Sequence, residues 1–146
     1  MSAHAGRRLR WAVAALALVA LLAYLRDPPW LGRVTSGLSA WMEDGGVRFR
    51  WTTAHATFYV PSEVREIAIP IRALRGTPDF LPVTVQVDID GRPAHALQLE
   101  DERWREVLIP IGAARATRRH RRIELRVSRT HGRFYRGVQV GEIRTD

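Results

Sequence analysis

The run RFRWTTAHATFYVP, residues 48–61, sets cations between aromatics and admits three readings. It can grip a nucleic-acid backbone, stack on sugars, or fold as two half-buried strands. Strand geometry decides among them. Side chains alternate between faces along a strand, so Phe49 and Trp51 share one face with Val47, and Arg48 and Arg50 take the other. Aromatics on a core face with arginines opposite do not make the single interleaved surface that a nucleic-acid strand needs. The run is read as architecture: strands over 47–53 and 55–60, with Arg50 placed to pair with a carboxylate on a neighbouring strand.

The same period of two continues to the end of the chain. Val83, Val85, Val87 and Ile89 lie on one face, with Thr84, Gln86 and Asp88 on the other. Ile67/Ile69/Ile71, Val107/Ile109/Ile111 and Ile123/Leu125/Val127 repeat the pattern. Six further strands are expected at 64–71, 82–90, 93–99, 104–111, 121–129 and 137–144. RGTPDFLP, DGRP, LEDER and THGR separate them as turns, and Asp90-Gly91 is a hairpin signal. Eight short strands, each with one polar and one apolar face, predict an all-β, eight-stranded antiparallel jelly-roll-like sandwich over 47–146.

The N-terminus follows another rule. Arg7, Arg8 and Arg10 precede WAVAALALVALLAYL, an uncharged apolar run from Trp11 to Leu25 that Arg26, Asp27 and Pro28-Pro29 close. Including Leu9 and letting Arg10 snorkel brings the run to about 17 residues, enough for a membrane span. No A-x-A cleavage site ends it, so an uncleaved transmembrane helix over 9–26 is preferred; a cleaved signal peptide and a buried helix are the alternatives. The basic flank predicts a cytoplasmic N-terminus, residues 1–8, in a bacterial inner membrane, with the remainder outside. Residues 27–46 are expected as a juxtamembrane linker, where Leu31, Val34, Leu38, Trp41 and Met42 recur at helical spacing. Either a short interfacial helix or a segment packed on the domain fits.

The net charge is +8 with 23 basic residues, all arginine, and lysine, asparagine and cysteine are absent. Missing lysine and asparagine point to a coding bias, which weakens any inference from arginine content to phosphate recognition. Without cysteine there is no disulfide framework and no thiolate chemistry. Arg115, Arg118, Arg119, Arg121 and Arg122 around His120 form the densest basic stretch. It is read as a solvated loop or as an anion- and lipid-binding one; nucleic acid is not an expected partner. Trp104, with Glu100, Asp101 and Arg103, is the candidate glycan site, the indole offering a platform and the charges bonding hydroxyls; a tryptophan at a strand edge also serves as core. His4, His55, His95, His120 and His131 lack metal-ligand spacing, and Asp88 to Gly91 is favoured as a turn over a calcium loop. Glu100, Asp101 and Glu102 are adjacent rather than opposed across a cleft, and no nucleophile elbow or phosphate-binding glycine loop occurs. No catalytic residue, cofactor or metal is expected.

SGLSAWMEDGGVRFRWTTAHATFYVP, PVTVQVDIDGRP, WREVLIPI, RRIELRVSRT and GVQVGEI together resemble an extracytoplasmic β-sandwich domain of bacterial multi-pass membrane glycosyltransferases. They also resemble small single-anchor proteins carrying that domain. The resemblance covers about residues 28–146. Where those domains have a longer proline-containing segment before the last strand, this chain has THGRFYRGV, keeping Arg133, Gly137 and Val138. It implies a non-catalytic envelope protein, an accessory module beside glycosyl transfer, with a membrane glycosyltransferase or an envelope glycan as partner. Carbohydrate binding through an exposed aromatic is the other function in view.

Overall fold

The computed structural model describes residues 3–113 and 118–146, which divide into a unit ending at Leu31 and a second unit, Gly32–Asp146. The first holds α1, Ala3–Arg26, a 24-residue helix. With 1.5 Å of rise per residue it is about 36 Å long. It is long and apolar enough to cross a membrane, as a signal sequence also is. Most of its side chains are exposed, among them Trp11, Leu16, Val19 and Leu25.

The second unit is a β-sandwich. Its strands are β1 (Ser36–Leu38), β2 (Met42–Asp44), β3 (Val47–Pro61), β4 (Glu66–Arg72), β5 (Val83–Ile89), β6 (Arg92–Leu99), β7 (Arg105–Pro110), β8 (His120–Val127), β9 (Gln139–Val140) and β10 (Arg144–Thr145). All pairings are antiparallel. One sheet runs β1-β3-β8-β5-β6. The other sets β7 on one edge of β4 and β9 and β10 on the opposite edge, with β9 also pairing to β3. The apolar faces meet in one core that includes Ile67, Ile69, Ile71, Val83, Val85, Ile109, Ile123 and Leu125.

The two strands expected at 47–53 and 55–60 are one 15-residue strand that serves both sheets. Its first half pairs with β9, Trp51 opposite Gln139, and its second half with β8, His55 opposite Arg126 through Pro61 opposite His120. Between them the buried parity changes. Phe49 is buried at an odd position; Thr52, Ala56, Phe58 and Val60 are buried at even ones. An irregularity absorbs the change: Leu38 pairs with Thr52 but Ser36 with Thr57, leaving extra β3 residues opposite Gly37. Gly37 has φ +67°, and a Cβ there would lie 1.9 Å from the His55 carbonyl oxygen. Only glycine fits.

Two expectations need correction. Of the two readings of the 27–46 linker, the helix does not form over 32–46 and the segment packed on the domain does: a single 3-10 turn, Leu31–Arg33, is followed by β1 and β2 on the β3 edge. Left-handed glycines at 37, 45 and 46 break the helix, and β3 offers unpaired backbone in its place. The strand expected at 137–144 is split into β9 and β10, with the Gly141 amide between them donating to the Pro70 carbonyl. The Asp90-Gly91 hairpin is present, both residues having positive φ, as a type I′ turn requires.

Candidate functional site

At one end of the sandwich the aromatics of β3 enter a chain of cation–π contacts. The Arg72 guanidinium lies 4.6 Å from the Trp104 ring centre and 5.7 Å from that of Phe49. Phe49 meets Trp51 edge to face at 5.5 Å. Arg136 then lies 5.2 Å from Trp51 and 5.5 Å from Phe134, and Arg133 lies 4.7 Å from Phe134. The intercalated cations come from other strands and loops. The run's own arginines lie on the opposite side, where Arg48 and Arg50 both approach Trp41, at 5.1 and 5.4 Å. Arg50 donates to the Ser39 carbonyl and to Thr35 Oγ1 rather than pairing with a carboxylate.

This ladder decides the standing of Trp104. Its indole is half-buried, tilted against Phe49 and covered by Arg72. Arg72, 8% exposed, also donates through Nε to Gln139 Oε1 and faces the Asp44 carboxylate at 3.6 Å. What separates Trp104 from Trp41 is exposure rather than cation cover: Arg48 and Arg50 lie 5.1 and 5.4 Å from the Trp41 ring centre, yet Trp41 stays 44% exposed, whereas Trp104 is half-buried. Glu100 and Arg103 are exposed beside it. Asp101 accepts from the Arg103 amide at 3.1 Å and from the Arg105 guanidinium at 3.1 Å. The Arg103 N–H first, then Arg105, hold its carboxyl below the usual carboxylate range. A depressed folded-state pKa stabilises only above the unfolded value, about 3.9. The melting-temperature gap between wild type and Asp101→Asn is therefore expected to be present at pH 6 and to close as pH falls through the folded pKa. A gap unchanged at pH 2 would contradict it. Glu102, which the sequence offered only as one of three adjacent turn carboxylates, accepts from the Gly76 and Thr77 amides and ties the β4–β5 loop to the segment before β7.

The basic stretch does not act as one patch. Arg115 lies outside the described residues. Arg118, Arg119 and Arg122 are exposed, whereas Arg121 is turned inward and 8% exposed. Its Nε meets Asp90 at 2.8 Å, and its terminal nitrogen donates to the Ile111 and Gly112 carbonyls, both at 2.9 Å. Arg121 is thus a structural clamp rather than an anion ligand. A shallow depression of about 460 Å³ is lined by Pro61, Ser62, Glu63, Arg118, Arg119 and His120.

Two carboxylates that the sequence kept far apart are brought together. Asp88 and Glu124 stand directly opposite on β5 and β8. Arg126 bridges them, 2.9 Å from Asp88 and 3.9 Å from Glu124, and Arg122 approaches Glu124 at 3.6 Å. That cover, with the Gln86 amide on Asp88, explains why Asp88 is buried on an outer face. Like charges opposite each other would otherwise destabilise the sheet. The pair sits on an outer sheet face, and no group of three or more His, Asp or Glu side chains able to hold a metal occurs among the described residues.

A second concavity lies between β1, the second half of β3 and the β9–β10 segment. It has a volume of about 240 Å³. Leu38, Phe58, Val60, Val140 and Ile143 form its apolar wall, and Trp41, Arg50, Tyr59, Thr35 and Thr145 bring polar or aromatic groups to it. Trp41 keeps 44% of its surface exposed. None of the lining residues is acidic. The sequence placed Trp41 only within an apolar recurrence at helical spacing, because the groove exists only once β1 pairs with β3.

No family model matches the chain, and no curated protein sequence does. Solved structures do. One is a family two carbohydrate esterase from Clostridium thermocellum in complex with cellohexaose, at 14% identity and TM-score 0.51 over 77% of this chain and 31% of that one. Another is the salicylyl-acyltransferase SsfX3 from a tetracycline biosynthetic pathway, at 13% identity and TM-score 0.52 over 77% and 36%. A looser superposition, TM-score 0.46 at 11% identity over 77% and 89%, relates it to the CBM36-1 domain of a multidomain xylanase from the hindgut metagenome of Trinervitermes trinervoides. The chain spans about a third of the two enzymes' length, and at such identities the likeness is one of fold: a β-sandwich shared with part of each.

Proposed function

We propose that the sandwich is a non-catalytic carbohydrate-binding module and that the groove beside Trp41 holds the sugar. The observation that carries this is the groove's composition: a half-exposed indole over an apolar wall, with a guanidinium, a phenol and two threonine hydroxyls around it. A pyranose has an apolar C–H face that packs on an indole and equatorial hydroxyls that Arg50, Tyr59, Thr35 and Thr145 can bond. Its volume suits one sugar unit, and its lining lacks the carboxylate pair of a glycosidase. The strand motifs' resemblance to domains of membrane glycosyltransferases supports a role beside envelope glycosyl transfer, with α1 as the anchor and Arg7, Arg8 and Arg10 on the cytoplasmic side.

Full-length protein in detergent, titrated calorimetrically with a panel of envelope polysaccharides, tests the reading. Trp41→Ala is expected to weaken retention at least about tenfold, the loss of a stacking contact of roughly 1.5 kcal/mol, with an unchanged circular dichroism spectrum. Trp104→Ala is expected to lower stability instead. Glycan binding indifferent to Trp41, or none with any polysaccharide, would overturn the assignment.

A further inference from the structure

We infer that the end of the sandwich where the chain enters is a docking face for anionic lipid headgroups. A Cβ on Gly32 would lie 2.9 Å from His120 Nε2, so the first residue of the sandwich unit sits at the start of β8. The turns of that same end carry exposed Arg33, Arg65, Arg92, Arg118 and Arg119. Their exposed acidic neighbours are Glu63, Asp146 and Asp90, the last engaged by Arg121. The far end, by contrast, mixes Arg75, Arg103, Arg105, Arg133 and Arg136 with Glu43, Asp44, Asp79, Glu100, Asp101 and Glu102. Charge is therefore polarised along the sandwich.

Covalent reach links that polarity to a bilayer. Five residues, 27–31, separate Arg26 of α1 from Gly32. Extended, six residue steps reach at most about 20 Å. If α1 spans a membrane, the basic end is tethered near the headgroups whichever way the span runs. Each arginine near an anionic surface is attracted by about 1 kcal/mol, and the attraction fades within a Debye length of about 8–10 Å. The depression lined by Arg118, Arg119 and Ser62, with Glu63 as its one carboxylate, presents two guanidiniums that can bond phosphate oxygens. The inference rests on α1 as an anchor and is independent of the sugar groove.

The chain has no cysteine, so one introduced cysteine takes a unique label. Full-length Ala113→Cys and Asp79→Cys, each with a nitroxide, are reconstituted into phosphatidylcholine bilayers with or without 30% phosphatidylglycerol. Contact with headgroup-bound relaxation agent is measured. Expected are contact at position 113 only in the anionic bilayer, its loss at high salt, and no contact at position 79. Adding Arg118→Gln and Arg119→Gln is expected to lower the docked-to-undocked ratio about thirtyfold, as two such attractions imply. Equal contact at position 113 in both bilayers, or stronger contact at position 79, overturns the docking face. Extraction of the protein by alkaline carbonate overturns the anchor and the docking face together.

Discussion

Arg72→Ala is expected to lower the unfolding free energy by about 2–3 kcal/mol, because a buried amide oxygen loses its donor and the packing against two rings is lost. The side chain is 8% exposed and packs against both Trp104 and Phe49, whose rings also meet each other. Its removal opens a void beside the two rings and leaves Gln139 Oε1, on a residue 2% exposed, without its donor. Asp44 on β2 also loses a cation, though Arg75 remains 3.1 Å away. β2, β3, β4, β9 and the β6–β7 loop meet at this residue, so its loss should be felt across the whole far end. Urea unfolding of the full-length protein, followed by tryptophan fluorescence, gives the number. Arg72→Met fills the space beside the rings but cannot donate, and should recover about half of the loss. A cost below about 1 kcal/mol for Arg72→Ala would show that the ladder is ornamental.

Arg121→Ala is expected to cost about 4–5 kcal/mol, because three hydrogen bonds to a charged group are lost together, each worth about 1.5 kcal/mol at the low end of its range. Asp90 keeps the Arg122 amide as a donor, so its carboxylate is not abandoned, and this limits the loss. The Ile111 and Gly112 carbonyls lose the donor that fixes where β7 ends. Arg121→Lys retains the charge but not the fork, and should fall between. Arg118→Ala, exposed, should stay within about 0.5 kcal/mol of wild type. Were Arg121→Ala and Arg118→Ala to unfold alike, the clamp would be refuted.

These two arginines show where sequence reading stops. Arg121 stands between exposed Arg119 and Arg122, and nothing in RRHRRIELR separates it from them except strand parity. Parity places Arg121 on the face of Ile123 and Leu125, yet a charge can occupy that face only because Asp90 and two carbonyls converge on it. Trp104 shows the same limit: its strand edge was legible, but not the guanidinium that covers it. Trp41 shows the reverse. A linker tryptophan became the wall of a groove once β1 and β2 took up the β3 edge.

What the sequence by itself determined is local. The apolar run of α1, the alternation of β4, β5, β7 and β8, and the Asp90-Gly91 turn follow from backbone geometry and side-chain periodicity within a few residues. The tertiary structure alone decided the parity change within β3, the strand state of residues 36–44, the inward turn of Arg72 and Arg121, and the groove beside Trp41. Each depends on which strands become neighbours. A buried charge or a cavity is set by partners far apart in the chain, and no short window of sequence contains both.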